Sequence, residues 1–167
     1  MAGSERQATA AYVAGLRLLA RRELSEAQIR QRLLRRGHTL GDVDVAIERL
    51  KTERALDDAR VADALTRTAI VVRGRGRLRV SRALAQAGID PKVADRALDR
   101  AYGDTDADAL LAAVLDKRLR GRTTIADERE MQRLYRYLLG QGFESDRILS
   151  VLKNRLAPAR QRDEPSE

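Results

Sequence analysis

One pattern of apolar positions recurs three times along the chain: an apolar residue, a leucine four positions later and a glycine four positions after that. Its copies are Ile29, Leu33, Gly37; Val80, Leu84, Gly88; and Leu134, Leu138, Gly142. Apolar residues four apart lie on one face of a helix, and a glycine just beyond is typical of a left-handed helix end. Because the glycines recur at intervals of about 50 residues, the pattern indicates tandem repeats of one helical unit.

Helix-start signals follow each glycine. Thr39, Asp90 and either Glu144 or Ser145 stand where an N-cap belongs, and Pro91 occupies the favoured first helical position. Upstream of the first glycine, Ser25 and Gln28 have the spacing of a capping box. Each repeat therefore has a second and a third helix that meet at a glycine corner.

A first helix is predicted before each pair, over about residues 8–23, 58–73 and 106–119. No stretch alternates with period two, so we expect no sheet. The predicted fold is all-α: three tandem three-helix repeats forming an elongated rod that can curve. The expected divisions are a disordered N-terminus 1–6, repeats over 7–55, 56–103 and 104–157, and a disordered tail 158–167.

Charge points to an acidic partner. The formal net charge is +8, with 29 arginines and four lysines. Nucleic acid, an acidic protein surface or a membrane would each attract such a chain, although codon usage in a GC-rich genome would also raise its arginine content. The sequence has no apolar run of membrane-spanning length and no signal peptide, so the expected location is the cytoplasm.

Enzyme motifs fail when each is checked. Residues 104–108 resemble the start of a calcium loop, but its sixth and twelfth positions are Ala109 and Leu115 instead of Gly and Glu. The pair Gly74 and Gly76 lacks the remainder of a phosphate-binding loop. His38 is the only histidine, and the chain has no cysteine. We expect no catalytic residue, no metal site and no cofactor.

Arginines form two clusters. The first surrounds the two glycines of the middle repeat, which we expect to form a flexible loop where several guanidiniums converge on a polyanion; a solvated connector is the alternative. The second precedes the first glycine corner, where arginines also favour a helix C-terminus. A weak stacking signal lies at Arg133–Tyr137. The candidate binding residues are Arg73, Arg75, Arg77, Arg79, Arg82, Arg30, Arg32, Arg35 and Arg36.

Several of these segments together resemble the bacterial RecX family. They are residues 20–25, 33–37, 56–62 and the stretch from Gly76 to Asp90, and the match runs from Leu16 to about Leu156. The chain departs from the family where aromatic residues are common, at residues 54–55, at Val61 and at His38. These departures concern packing and remove no catalytic group.

The resemblance implies a regulator of RecA, the bacterial strand-exchange ATPase, that acts in recombination, DNA repair and the SOS response. Such a protein would be a monomer that docks in the groove of the RecA–DNA filament, inhibits strand exchange and ATP hydrolysis, and limits filament growth. It would contact single- and double-stranded DNA weakly and would have no membrane partner. Two alternatives stay open: a helix-turn-helix-like protein that binds DNA directly, and a purely structural helical scaffold.

Overall fold

The computed structural model describes residues 2–103 and 105–156. They form nine α-helices: α1 (Ala2–Leu19), α2 (Glu26–Arg35), α3 (Leu40–Thr52), α4 (Asp58–Val71), α5 (Arg77–Gln86), α6 (Pro91–Gly103), α7 (Ala107–Leu119), α8 (Glu128–Gln141) and α9 (Ser145–Lys153). Within these residues the one extended pairing is an isolated bridge between Ile125 and Leu156. The all-helical prediction is confirmed.

The helices divide into two compact units. The first contains residues 1–73 and 80–104, and the second contains residues 74–79 and 105–167. The second unit thus includes the short segment that leads into α5 and the first residues of that helix.

Each predicted repeat has a hydrophobic core of its own. One core gathers residues of α2 and α3, a second gathers residues of α4, α5 and α6, and a third gathers residues of α7, α8 and α9. The leucines of the sequence pattern lie inside them, because Leu33, Leu84 and Leu138 are each 0% exposed. Burying a leucine completely stabilises a fold by about 2 kcal/mol, so these positions hold each helix to its neighbours.

Local capping explains where the helices begin and turn. Ser25 and Gln28 form the predicted capping box of α2, and Thr39 caps α3. The oxygen of Asp90 accepts the backbone N–H of Lys92 at 2.9 Å, at the start of α6. The three corner glycines all have positive φ, between 71° and 93°, which only glycine adopts without strain.

Some boundaries differ from the prediction. Helix α1 begins at Ala2, within the expected disordered N-terminus, and the Thr9 hydroxyl donates to the Glu5 carbonyl inside its early turns. Alanines in this stretch favour a helix. Helix α4 ends at Val71, before the glycines. The expected disordered tail, 158–167, lies outside the described residues.

A corner contact stabilises the first unit. The Ser25 hydroxyl, fully buried at the start of α2, donates to the Ala87 carbonyl at the α5–α6 corner over 2.5 Å. The Asp58 carboxylate of α4 also accepts the Glu26 backbone N–H at 2.8 Å. The start of α2 is therefore held by two distant segments, because its Ser25 side chain donates to one and its Glu26 backbone N–H donates to the other. We call the Ser25–Ala87 bond and its surroundings the first corner contact.

Candidate functional site

The glycine segment of the middle repeat makes a second corner contact, within the second unit. The Gly76 N–H donates to the Gln141 carbonyl at 2.9 Å, and the Leu78 N–H donates to the Gly142 carbonyl at 3.2 Å. A β-carbon on Gly76 would overlap the backbone of Gly142 and Phe143. Gly76 therefore permits a close backbone approach, and we call this arrangement the second corner contact.

Two arginines of the first cluster belong to this contact. The Arg75 guanidinium donates to the Gln141 side-chain oxygen, and the Arg79 guanidinium donates to the Gly140 carbonyl at 2.5 Å. Carbonyls at a helix C-terminus attract cations, so both arginines hold the end of α8. The loop is therefore held against α8 by these two residues, and their role in binding a partner stays a prediction.

The remaining members of this cluster differ in exposure. Arg77 opens α5 and is half-buried, whereas Arg73 and Arg82 are exposed. In the described part of the chain, Arg73 and Arg82 make no hydrogen bond or ion pair. These two are the members of the cluster that are best placed to meet a partner.

The arginines of the second cluster also differ in whether a carboxylate lies beside them. Arg30 is ion-paired with Glu26 at 3.4 Å and with Asp44, and the Asp44 bond contributes most to the raised pKa of its guanidinium. Arg32, by contrast, has a lowered pKa. Partial burial is the largest cause, followed by the like charges of Arg22, Arg35 and Arg36. The like charges of these three arginines therefore act on Arg32, and an anion beside it would relieve that repulsion.

A third group of arginines extends the weak stacking signal at Arg133–Tyr137 by one residue, Arg129, which the sequence analysis did not include. Arg129, Arg133 and Arg136 are spaced four and three residues apart, so they lie on one face of α8. All three are exposed, and within the described residues none makes an ion pair or hydrogen bond. We call this row the α8 ridge. Aligning the corner glycines would have found it, because the same registration places Arg75, Arg79 and Arg82 at the matching positions of α5.

A depression lies on each side of the α8 ridge. On the α7 side, a cleft of about 290 Å³ is lined by Arg118, Arg120 and Arg133 over Leu119 and Leu134. On the α9 side, a groove of about 320 Å³ is lined by Met131, Gln132, Tyr135, Arg136 and Leu149. The first depression is basic and the second is largely apolar.

Glu130 sits at the edge of the cleft. Its carboxylate binds the Arg122 guanidinium and accepts the Ala126 backbone N–H at 2.9 Å. These two bonds, the arginine first, lower the pKa of Glu130 to about 2. The charge of Arg133 lowers this pKa further, so the Glu130 carboxylate partly offsets the positive charge of that arginine.

The other acidic motifs act as helix caps. Asp57 accepts the backbone N–H groups of Ala59 and Arg60, and Asp106 accepts those of Asp108 and Ala109. Among the residues described, no three histidine, aspartate or glutamate side chains come together as metal ligands would. The same residues include no helix long and apolar enough to cross a membrane.

Comparison with protein families matches all three helix groups. The model described as RecX, first three-helix domain, matches residues 11–50; the second three-helix domain matches 57–98, and the third matches 104–152. Together these matches include at least part of each of the nine helices that the structure describes.

Similar proteins share one description. The Regulatory protein RecX of Halorhodospira halophila is 39% identical over 81% of this chain and 81% of its own length. The Regulatory protein RecX of Acidithiobacillus ferrooxidans is 40% identical over 82% of this chain and 85% of its own length. The crystal structure of RecX from Lactobacillus salivarius has a TM-score of 0.75 at 19% identity, over 90% of this chain and 97% of that one. This last likeness concerns the fold alone.

Proposed function

The chain belongs to the RecX family of regulatory proteins, and from this premise we propose that it binds the RecA–DNA filament and inhibits RecA. Inhibition would reduce strand exchange, ATP hydrolysis and filament growth. The observation that carries the proposal is the match of all three helix groups to the three RecX domains, joined to high identity with regulatory relatives.

The protein acts in this proposal as a cytoplasmic monomer that catalyses no reaction of its own. DNA is a weak direct partner, which the net charge of +8 supports. The finding that the other candidate motifs cap helices is consistent with an adaptor: Asp57 and Asp106 bond to backbone N–H groups.

The arginines that would contact the filament are those that the fold leaves exposed. Arg73 and Arg82 form one such pair, and Arg35 and Arg36 form a second basic surface beside the partly buried Arg32. Arg30, Arg75 and Arg79 have structural partners, so we assign them to positioning the helices. Guanidiniums suit this role because they make forked bonds with phosphates and carboxylates.

Titration into a preformed filament of RecA on single-stranded DNA tests the proposal, with ATP hydrolysis as the readout. A filament regulator should inhibit at well below one protein per RecA monomer, because one bound molecule affects many subunits. A protein that merely covers DNA would need enough copies to occupy the strand. Unchanged hydrolysis at equimolar protein would contradict the proposal.

Paired variants test the choice of residues. Arg73→Ala with Arg82→Ala should weaken inhibition severalfold and leave the unfolding transition unchanged, because these side chains make no hydrogen bond or ion pair within the described residues. Arg75→Ala with Arg79→Ala removes the same charge but loses two contacts with the end of α8. That pair should lower stability. If the first pair inhibits like the wild type, the arginines around Arg32 become the better assignment.

A further inference from the structure

The α8 ridge differs from three other arginines of its unit. Arg122, Arg147 and Arg155 are each bonded to a carboxylate, of Glu130, Asp108 and Asp116 respectively. The three ridge arginines have no such bond within the described residues, although they stand one turn apart on one helix. Like charges at this spacing destabilise a helix slightly, and a bound polyanion would remove that cost.

The cleft adds charge beside the ridge. The Arg118 guanidinium lies 4.9 Å from the centre of the Tyr137 ring, which orients it without neutralising it. Arg120 ends α7 with a φ of 53°, a left-handed conformation that is uncommon outside glycine. Both arginines therefore stand at one edge of the α8 ridge, and its basic surface extends over two helices.

The groove on the opposite side suits a flat apolar group. Met131, Tyr135 and Leu149 line it, and the Tyr135 hydroxyl is held by the Ser145 hydroxyl at 2.9 Å. Arg136 belongs to both the ridge and the groove rim. A ligand with an anionic group on the ridge could therefore place an adjoining apolar group in this groove, beside the Tyr135 ring.

This combination favours one ligand class over other polyanions. From Arg129 to Arg136 the helix rises by roughly 10 Å, enough for a short run of phosphates. Nucleotides join a phosphate to a flat ring that stacks on aromatic side chains, and such stacking needs an unpaired base. An acidic peptide would match the ridge but would supply no flat group for the groove.

We propose that the α8 ridge binds a single strand of nucleic acid, with its phosphates on Arg129, Arg133 and Arg136 and one base in the groove beside Tyr135. This inference deepens one part of the proposed function, the direct contact with DNA, and rests on it. It concerns residues outside the basic clusters assigned to the filament, and its test contains no RecA.

The test measures anisotropy of a fluorescent oligonucleotide with the full-length protein. The triple variant Arg129→Gln, Arg133→Gln, Arg136→Gln should bind a single strand about tenfold more weakly. Its salt slope should fall by roughly two, since each lost phosphate contact removes about 0.7. The control triple Arg6→Gln, Arg17→Gln, Arg67→Gln removes the same charge from exposed positions of the first unit and should change binding less than twofold.

The base is tested separately with a strand of equal charge that lacks bases at its centre. Wild-type protein should bind it about fivefold more weakly, the order of one lost stacking contact. Tyr135→Leu keeps an apolar side chain and should bind both strands alike. Circular dichroism on every variant checks that the helices remain. A ridge triple that has lost them is replaced by the single Arg133→Gln. Tyr135→Phe is the matched control for Tyr135→Leu, because it keeps the ring and should distinguish the two strands as the wild type does.

Five results would overturn the inference. The control triple could weaken binding as much as the ridge triple, or a duplex could bind as tightly as a single strand with the same dependence on the ridge. Polyglutamate could bind the ridge as tightly as the strand, which would assign the surface to an acidic protein. If the ridge triple binds like the wild type, this assignment alone fails; if the wild type binds no oligonucleotide, the direct DNA contact of the proposed function fails with it.

Discussion

The two corner contacts use equivalent positions but different chemistry. Ser25 lies eight residues before Leu33, and Gly76 lies eight residues before Leu84. In the first contact a buried side-chain hydroxyl reaches the Ala87 carbonyl. In the second the Gly76 backbone N–H itself reaches the Gln141 carbonyl, so the two segments come closer together. Equivalent segments are therefore joined in two ways: in the first contact by the Ser25 side chain, and in the second by a backbone N–H at a glycine that has no side chain.

The matching position of the last repeat completes this comparison. Glu130 lies eight residues before Leu138, and its carboxylate is occupied by Arg122 and the Ala126 N–H. Within the described residues no further glycine corner packs against it, and polar terminal positions are typical of repeats that end an array. A bulky charged residue is acceptable here because nothing needs to approach it closely.

The largest effect should come from the core of the first unit that contains Leu84. Leu84→Asp places a carboxylate at a fully buried position and should destabilise the first unit by roughly 4 kcal/mol. Leu40→Asp, at a residue that is 64% exposed, is the control and should change little. Denaturant unfolding followed by circular dichroism measures both. Equal stability of the two variants would show that Leu84 is not part of the core.

A smaller loss should follow from Gly76→Ala. The added methyl group would meet the backbone of Gly142 and Phe143, and backbone atoms cannot rotate away, so we expect a cost of about 3 kcal/mol. Gly140→Ala is the matched control in the same unit, because its β-carbon would meet nothing within 4 Å. Hydrogen exchange at the Gly76 and Leu78 amides should rise in the first variant and not in the second. Unchanged exchange would mean that the close approach is not needed.

The same comparison shows what the sequence predicts and what it does not. The Ser25 capping box, the corner glycines and the buried leucines follow from spacings of three to eight residues, so local physics is sufficient to predict them. The Ser25–Ala87 bond joins residues 62 positions apart, and the Arg75–Gln141 bond joins residues 66 apart. Local patterns carry no information about such pairs.

The candidate site was harder to predict than the fold for a related reason. Arg75 and Arg82 look equally available in the sequence, yet one meets the end of α8 and the other meets solvent. A guanidinium becomes available only when no acceptor lies near it, and the acceptors here are carbonyls of a distant helix end. The stacking signal at Arg133–Tyr137 contains two arginines of the α8 ridge, but Arg129 was not joined to them because it lies four residues earlier and the three form no continuous run.

Ser25→Ala should have a moderate effect. It removes the cap acceptor of the Gln28 N–H and leaves the buried Ala87 carbonyl without its donor, which together should cost about 2 kcal/mol. Ser25→Thr keeps the hydroxyl and should recover part of the loss. Urea unfolding of both variants measures the difference. A loss for Ser25→Ala as large as that for Gly76→Ala would contradict the distinction between the two contacts.

Glu130→Gln should have a smaller effect that depends on pH. The pKa of Glu130 is lowered from 4.5 to about 2 in the folded protein, so its ionised form stabilises the fold above about pH 4.5. That contribution is lost as the pH falls from 4.5 towards 2. Because Arg122 is 53% exposed, solvent screening reduces the effect to about 1 kcal/mol at pH 7. Thermal melts at pH 7 and pH 3 should show the variant losing less stability on acidification than the wild type.

The smallest effect, with the opposite sign, belongs to Asp58 at the first corner contact. Burial raises the pKa of its carboxyl most strongly, with Glu26 and Asp57 also raising it, while the Glu26 N–H and Lys51 lower it. A raised folded pKa means that the folded protein holds this proton more tightly than the unfolded chain. The contribution of Asp58 to stability is therefore greatest below its unfolded pKa and declines as the pH rises through the folded value. Asp58→Asn keeps an oxygen for the Glu26 N–H and removes the titration, so it should be nearly neutral at pH 4 and equal to or slightly more stable than the wild type at pH 7. Thermal melts of the variant and the wild type at pH 4 and pH 7 measure this difference. If the variant loses stability relative to the wild type on going from pH 4 to pH 7, the ionised carboxylate strengthens the first corner contact instead of weakening it.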